Sequence, residues 1–274
     1  IYDKFSGIFT PDIIKRQIRT YYNHISLLKF EYQKITINFN YITKNNNNDF
    51  LDLLIMIVKA NAFINSCKNS SFISINVYYM PTPYKKNIGN EDYLGPKHVN
   101  SGYTLHDNYI VIYRKEESHK VLIHELVHYL KLDFSTTPCL PDICNNITDN
   151  FDVVTNREFV NIFEAYTDFI AIIYNSIFNS IIFDISFYNI ISIEQYYQKC
   201  ITNKILHKFN MNHICPSYNK SGNKLIQYSN VLSYYFLKKP LIDNYLYIIQ
   251  KYRLGTKWDI NKILEFYNYI LLEL

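Results

Sequence analysis

Val121-Leu122-Ile123-His124-Glu125-Leu126-Val127-His128-Tyr129-Leu130 sets two histidines four residues apart, with Glu125 between them, in an otherwise uncharged, mostly apolar run. On an α-helix, positions i and i+4 share a face, so both imidazoles can reach one ion. Glu125 projects about 100° round the helix from His124. There it can work on a water polarised by that ion without ligating it. Catalytic zinc sites take three protein ligands and leave the fourth position to water. The flanking residues give the pattern its weight, because they suit a buried helix. A carboxylate on such a helix is costly unless the site uses its charge.

Working outward, Tyr109 to Tyr113 reads as a strand that leads at once into this helix, from about Glu116 to Leu132. The strand is either the sheet edge beside the helix, where an extended peptide could add, or an interior strand. Further upstream, Thr10 and Pro11 open a helix to about Asn23, and Lys34 to Tyr41 alternates like a strand. Phe50 to Cys67 is an apolar helix, Phe72 to Met80 a strand, and Pro81 to Asn108 an irregular stretch holding three of the six glycines. Downstream, a loop from Asp133 to Thr155 precedes a helix from Asn156 to about Phe178. Helices then dominate from Ile193 to Leu274, with breaks near Pro216 to Gly222 and at Pro240. The expected fold is α+β, with a small mixed sheet and helices over 1–132. An all-helical lobe over 133–274 follows, within one catalytic domain.

A third ligand must come from outside the motif. An HExxHxxGxxH continuation would need Gly and His where Lys131 and Phe134 stand. Downstream, Glu164 and Asp168 lie i and i+4 on an apolar helix among Phe163, Tyr166, Phe169 and Ile170. Glu164 can ligate, and Asp168 can accept a hydrogen bond from the outer nitrogen of a ligating histidine. Glu158, Asp149 and Asp152 are rivals for the ligand role.

HExxH followed by ExxxD on a second helix resembles the gluzincin family of zinc peptidases, over about Tyr109 to Tyr174. The 35 residues between His128 and Glu164 are similar in number to those of the clostridial neurotoxin light chains. That subgroup's Arg-x-x-Tyr is missing downstream of Glu164, and so is the GxMEN signature of the aminopeptidases. The resemblance implies a zincin-like fold and one Zn2+ per chain on His124, His128 and Glu164. It also implies Glu125 as general base, Asp168 in support, and a polypeptide substrate. A Tyr or His from the C-terminal helices would steady the oxyanion. Tyr228 and Tyr235 are favoured as sharing a helical face, with Tyr234, His207 and His213 also eligible.

The remaining composition narrows the field. The 274 residues are 48% hydrophobic and 19% charged, ample for a core. A net charge of +4 is spread thinly, its densest pairs being Lys85-Lys86, Arg114-Lys115 and Lys238-Lys239. We read these as solvated surface, without the basic stripe of a nucleic-acid binder. The longest apolar stretch, Phe169 to Phe183, is broken by Asn175 and Asn179 and is too short for a membrane span. Five cysteines without a CxxC pair suit free thiols in a reducing cytoplasm, a Cys139–Cys144 bridge being the oxidised alternative. An endopeptidase is expected, since no terminus-reading motif occurs. The alternative is a non-catalytic zincin-fold binding or structural protein, such as a virion or toxin component. The intact Glu125 speaks against that alternative.

Overall fold

The structure is a computed structural model that describes residues 2–21, 24–43, 50–67, 72–105, 109–135, 145–146, 149–155, 160–252, 254–256 and 258–273. The expected α+β class is observed, in two compact units. Residues 1–87 and 100–130 form the first, and residues 88–99 and 131–274 the second. The expected division at 132 therefore falls at 130, with an excursion of the chain at 88–99.

In the first unit, α1 (Asp12–Tyr21) precedes a hairpin of β1 (His24–Tyr32) and β2 (Ile35–Thr43). Then come α2 (Phe50–Ser66) and β3 (Ile73–Thr82). After the 88–99 excursion come β4 (Gly102–Leu105), β5 (Tyr109–Arg114) and α4 (Ser118–Tyr129). The sheet order is β1-β2-β3-β5-β4, with β2, β3 and β5 parallel and the two outer strands antiparallel to their neighbours.

Two strands correct the sequence reading. The edge beside α4 is β4, and Tyr109–Arg114 lies inside the sheet between β3 and β4. Four residues (Gly-Tyr-Thr-Leu) in a Gly- and Pro-rich stretch carry too little alternation to be seen. β1 was also missed. Its turn uses Gln33 at φ 53°, without the Asn-Gly or Asp-Gly that marks a tight hairpin. Its solvent-facing residues include Ile25 and Leu27, which blurs the apolar alternation.

One sheet face packs on Phe5, Ile14 and Ile18, with Ile42, Met80, Val111 and Tyr113 contributed by the strands. Each such side chain fully buried contributes roughly 1.5–3 kcal/mol. The other face receives α4. Tyr79 Oη donates to Ser118 Oγ at 3.2 Å, and Tyr129 Oη to the Ser74 carbonyl at 2.8 Å. His119 Nε2 lies 2.7 Å from Asp52 Oδ1, tying α4 to α2. Arg114, expected at the surface, is buried. Its Nε and Nη1 donate to the carbonyls of Asn100 (2.7 Å) and Tyr84 (3.0 Å), so it ties the first-unit chain on either side of the excursion to β5.

The second unit contains the short α3 (Pro96–Val99), β6 (Val153–Thr155), α5 (Ile162–Phe183) and α6 (Phe187–Lys208). These are followed by β7 (Leu225–Gln227), a π-helix (Leu232–Leu237), α7 (Lys239–Asp243), α8 (Tyr245–Lys251) and α9 (Ile260–Glu273). It is mainly helical as expected, with one addition. β6 and β7 pair in parallel, and Leu94 of the excursion bridges to Gln227 alongside them. Strands of three residues leave no periodic trace in sequence. The core gathers Phe134, Tyr166, Tyr252, Trp258 and Phe266, with Tyr166 and Trp258 centroids 4.3 Å apart. Phe134, at the position a third histidine would need, is thus a core residue. α5 is long and apolar enough to cross a membrane by length and composition, and half of its most apolar window is buried.

Candidate metal centre

α4 is buried along nearly its whole length, from Val121 to His128. Its first turn is held electrostatically, since no side chain caps it. Glu117, just before the helix, meets Lys86 at 2.6 Å and Lys120 at 3.4 Å and accepts a hydrogen bond from Ser101 Oγ. Burial alone would raise the Glu117 carboxyl. The two lysines and the hydroxyl outweigh it and bring the pKa down to about 2. At the other end, Lys131 turns the chain through φ 55°, a left-handed position usually given to glycine.

Between these ends the histidine spacing does what helical geometry demands. His124 and His128 are 6% and 9% exposed, and their Nε2 atoms converge to 3.1 Å. Two nitrogens bound at about 2.0–2.1 Å to one tetrahedral zinc lie roughly 3.3 Å apart, so the pair fits such an ion. The distance equally suits an N–H donated from one ring to the other. Glu125, 5% exposed, turns toward β4, where Thr104 Oγ1 lies 2.8 Å from its Oε2 and 2.9 Å from its carbonyl oxygen.

The second unit builds the acidic pair. Glu164 and Asp168 sit one turn apart on α5, and the π-helix and the residue that caps it present Tyr234 and Lys238 to them. Tyr234 Oη donates to Glu164 Oε2 at 3.0 Å, and Lys238 Nζ donates to Asp168 Oδ2. Lys238 and Asp168 are both buried, so the expectation of a solvated Lys238-Lys239 pair holds only for its second member. The Tyr235 carbonyl takes hydrogen bonds from Gln198 Nε2 (2.5 Å) and Thr202 Oγ1 (3.1 Å) of α6.

The two favoured tyrosines do not share a helical face. Tyr228 lies in a bend between β7 and the π-helix, exposed, its ring 5.2 Å from that of Tyr93. Tyr235 is buried. Tyr234 is the tyrosine that reaches Glu164, and a 3.6-residue period drawn through a π-helix hides that. Of the rival ligands, Asp152 accepts from Asn219 Nδ2 at 2.8 Å, while Glu158 lies outside the described residues, as do Cys139, Cys144 and the expected helix start at Asn156.

No family model matches the chain. An uncharacterized protein of Acanthamoeba polyphaga mimivirus is 30% identical over 146 residues, which cover 49% of this chain and 36% of that protein. The chain therefore spans about a third of the length of that relative.

Proposed function

We propose that the chain is a zinc-dependent peptidase, acting as an endopeptidase on an extended polypeptide. The observation that carries this reading is the convergence of two buried imidazole nitrogens to 3.1 Å beside a buried carboxylate of the same helix. His124, His128 and Glu164 would hold the ion, a donor set of two imidazoles and one carboxylate that suits zinc. Zinc bound there supplies Lewis acidity, enough to bring the ionisation of a water molecule close to neutral pH.

The chain's own residues do the rest. Glu125 accepts a proton from water as the water oxygen bonds to the scissile carbonyl carbon. It then passes that proton to the amide nitrogen as the C–N bond breaks. Tyr234 fixes the carboxylate of Glu164 through its hydrogen bond, and the Asp168–Lys238 pair fixes the next turn of α5. The substrate has a docking strand in β4. Tyr113 N–H donates to the Ser101 carbonyl, and hydrogen-bonded residues alternate along an antiparallel ladder. Ser101, Tyr103 and Leu105 thus bond inward to β5, while Gly102 and Thr104 turn their main-chain groups to the outer side of the strand. An extended peptide can add there by main-chain hydrogen bonds.

Two measurements test this together. Elemental analysis of protein purified without chelator should find about one zinc per chain. Glu125→Gln should keep that zinc and lower kcat on a casein substrate by about 10²- to 10⁴-fold. Absence of a stoichiometric transition metal, or near-normal turnover by Glu125→Gln, would overturn the proposal.

A further inference from the structure

We infer that Thr104 is a positioning residue for Glu125, so the edge strand aims the general base. This rests on the reading of Glu125 as base.

Three observations meet here. Thr104 Oγ1 lies within hydrogen-bond reach of both a side-chain and the main-chain oxygen of Glu125. One hydroxyl proton serves both acceptors, which fixes the carboxylate relative to its own helix backbone. Gly102, two residues earlier, shares the same face of β4. A Cβ at position 102 would stand 2.6 Å from the Val111 carbonyl, 2.9 Å from Val121 Cγ1 and 3.4 Å from Glu125 Oε1. The first two distances are impossible without movement, and the carbonyl is β5 backbone that cannot swing aside, so glycine at 102 holds β4 in its place against β5 and under Val121 of α4. Oε1 therefore looks toward Gly102 and Oε2 toward Thr104. The carboxylate is seated across two residues of a single strand.

By the ladder alternation, those same two residues turn their main-chain groups outward. A side chain at 102 or 104 thus meets the base, while the backbone at 102 and 104 would meet the peptide. Strand position and base position are one degree of freedom. A peptide that draws β4 into register also draws Thr104, and with it Oε2. Thr104 touches neither the ion nor the reacting bond in this scheme. Its effect passes entirely through Glu125.

The test compares Thr104→Val, which keeps the shape and removes the hydroxyl, with Thr104→Ser, which keeps the hydroxyl. Both are made in the full zinc-loaded chain and assayed on casein beside wild type and Glu125→Gln. Zinc affinity is read by competition with a chromogenic chelator. Thr104→Val should lower kcat about ten-fold, with KM and zinc affinity within about two-fold of wild type, and Thr104→Ser should recover most of the loss. A crystal structure of Thr104→Val should show the Glu125 carboxylate turned away from β4. If wild type cleaves and Glu125→Gln does not, yet Thr104→Val keeps full kcat, the positioning role is wrong and the peptidase reading stands. Equal losses in Thr104→Val and Thr104→Ser would likewise overturn it, pointing to packing of the methyl group. A wild type inert toward casein and toward a mixed peptide library would overturn both.

Discussion

Glu164 and Asp168 each have a partner seventy positions away in the chain, and the two partners differ in kind. Tyr234 gives Glu164 a hydrogen bond from a neutral donor. Lys238 gives Asp168 a full counter-charge in a buried setting. The two carboxylates of one motif therefore do different work. Breaking a buried ion pair from one side strands a charge and costs about 3–5 kcal/mol, whereas replacing both members by apolar residues is often neutral or better. Lys238→Met should destabilise the protein by roughly that amount in denaturant unfolding, and Lys238→Met with Asp168→Leu should recover most of it. Tyr234→Phe should unfold nearly like wild type and lose zinc affinity by about ten-fold in chelator competition, within the range for partners of ligands. Glu164→Ala should lose far more affinity than Asp152→Ala. Equal affinity in wild type and Glu164→Ala would move the third ligand elsewhere. The histidines, Glu125 and the acidic pair were legible in sequence because helical spacing alone relates them. Lys238, Tyr234 and Thr104 were not, because their partners lie 21 to 70 residues distant and no local period connects them.

α4 is held as an element by charge at one end and by a close strand along its side. The depressed Glu117 carboxyl has a defined consequence for pH. Its folded pKa of about 2 lies below the unfolded value of about 4.3, so its contribution is complete above roughly pH 4.5. It is lost as pH falls from there toward 2. Glu117→Gln should therefore lower stability at pH 7 by on the order of 1–3 kcal/mol. The difference from wild type should shrink as the pH drops through that window in urea unfolding. A gap that stays constant from pH 7 to pH 2.5 would show that packing, not charge, fixes the helix start. Gly102→Ala should be more severe, since the obstacle is a backbone carbonyl that cannot swing aside. Element boundaries show which signals sequence carries well. α2 was read within a residue of its observed ends and β3 within two, both being long and apolar. β4 failed on length, β1 on its exposed face and unmarked turn, and the π-helix on its period.

For the molecule as a whole, zinc should act as a stabilising ligand, because anything bound to the folded state alone shifts unfolding by mass action. With free zinc at about 100 times its Kd the shift is roughly 2.7 kcal/mol. Scanning calorimetry should show a higher Tm with zinc than after a chelator, and His124→Ala should abolish the difference. The class of fold was readable at this scale, from an order of mixed elements followed by helices. The partition of the chain was not, because residues 88–99 belong with the later sequence. That excursion is stitched in by backbone bonds, Leu94 N–H to the Ile226 carbonyl at 2.9 Å and Tyr228 N–H to the Leu94 carbonyl at 2.7 Å. Lys208 Nζ adds a bond of 2.6 Å to the Gly89 carbonyl. The polypeptide passes from one unit to the other three times, so no single cut yields both halves whole. A recombination joint at 130/131 would carry the helices to a new host without the segment they grip. In the laboratory, 131–274 expressed alone should show depressed helicity by circular dichroism, and a synthetic peptide of residues 88–99 added in trans should restore it. Ancestry and engineering alike must then treat this chain as a woven pair, exchanged together or not at all.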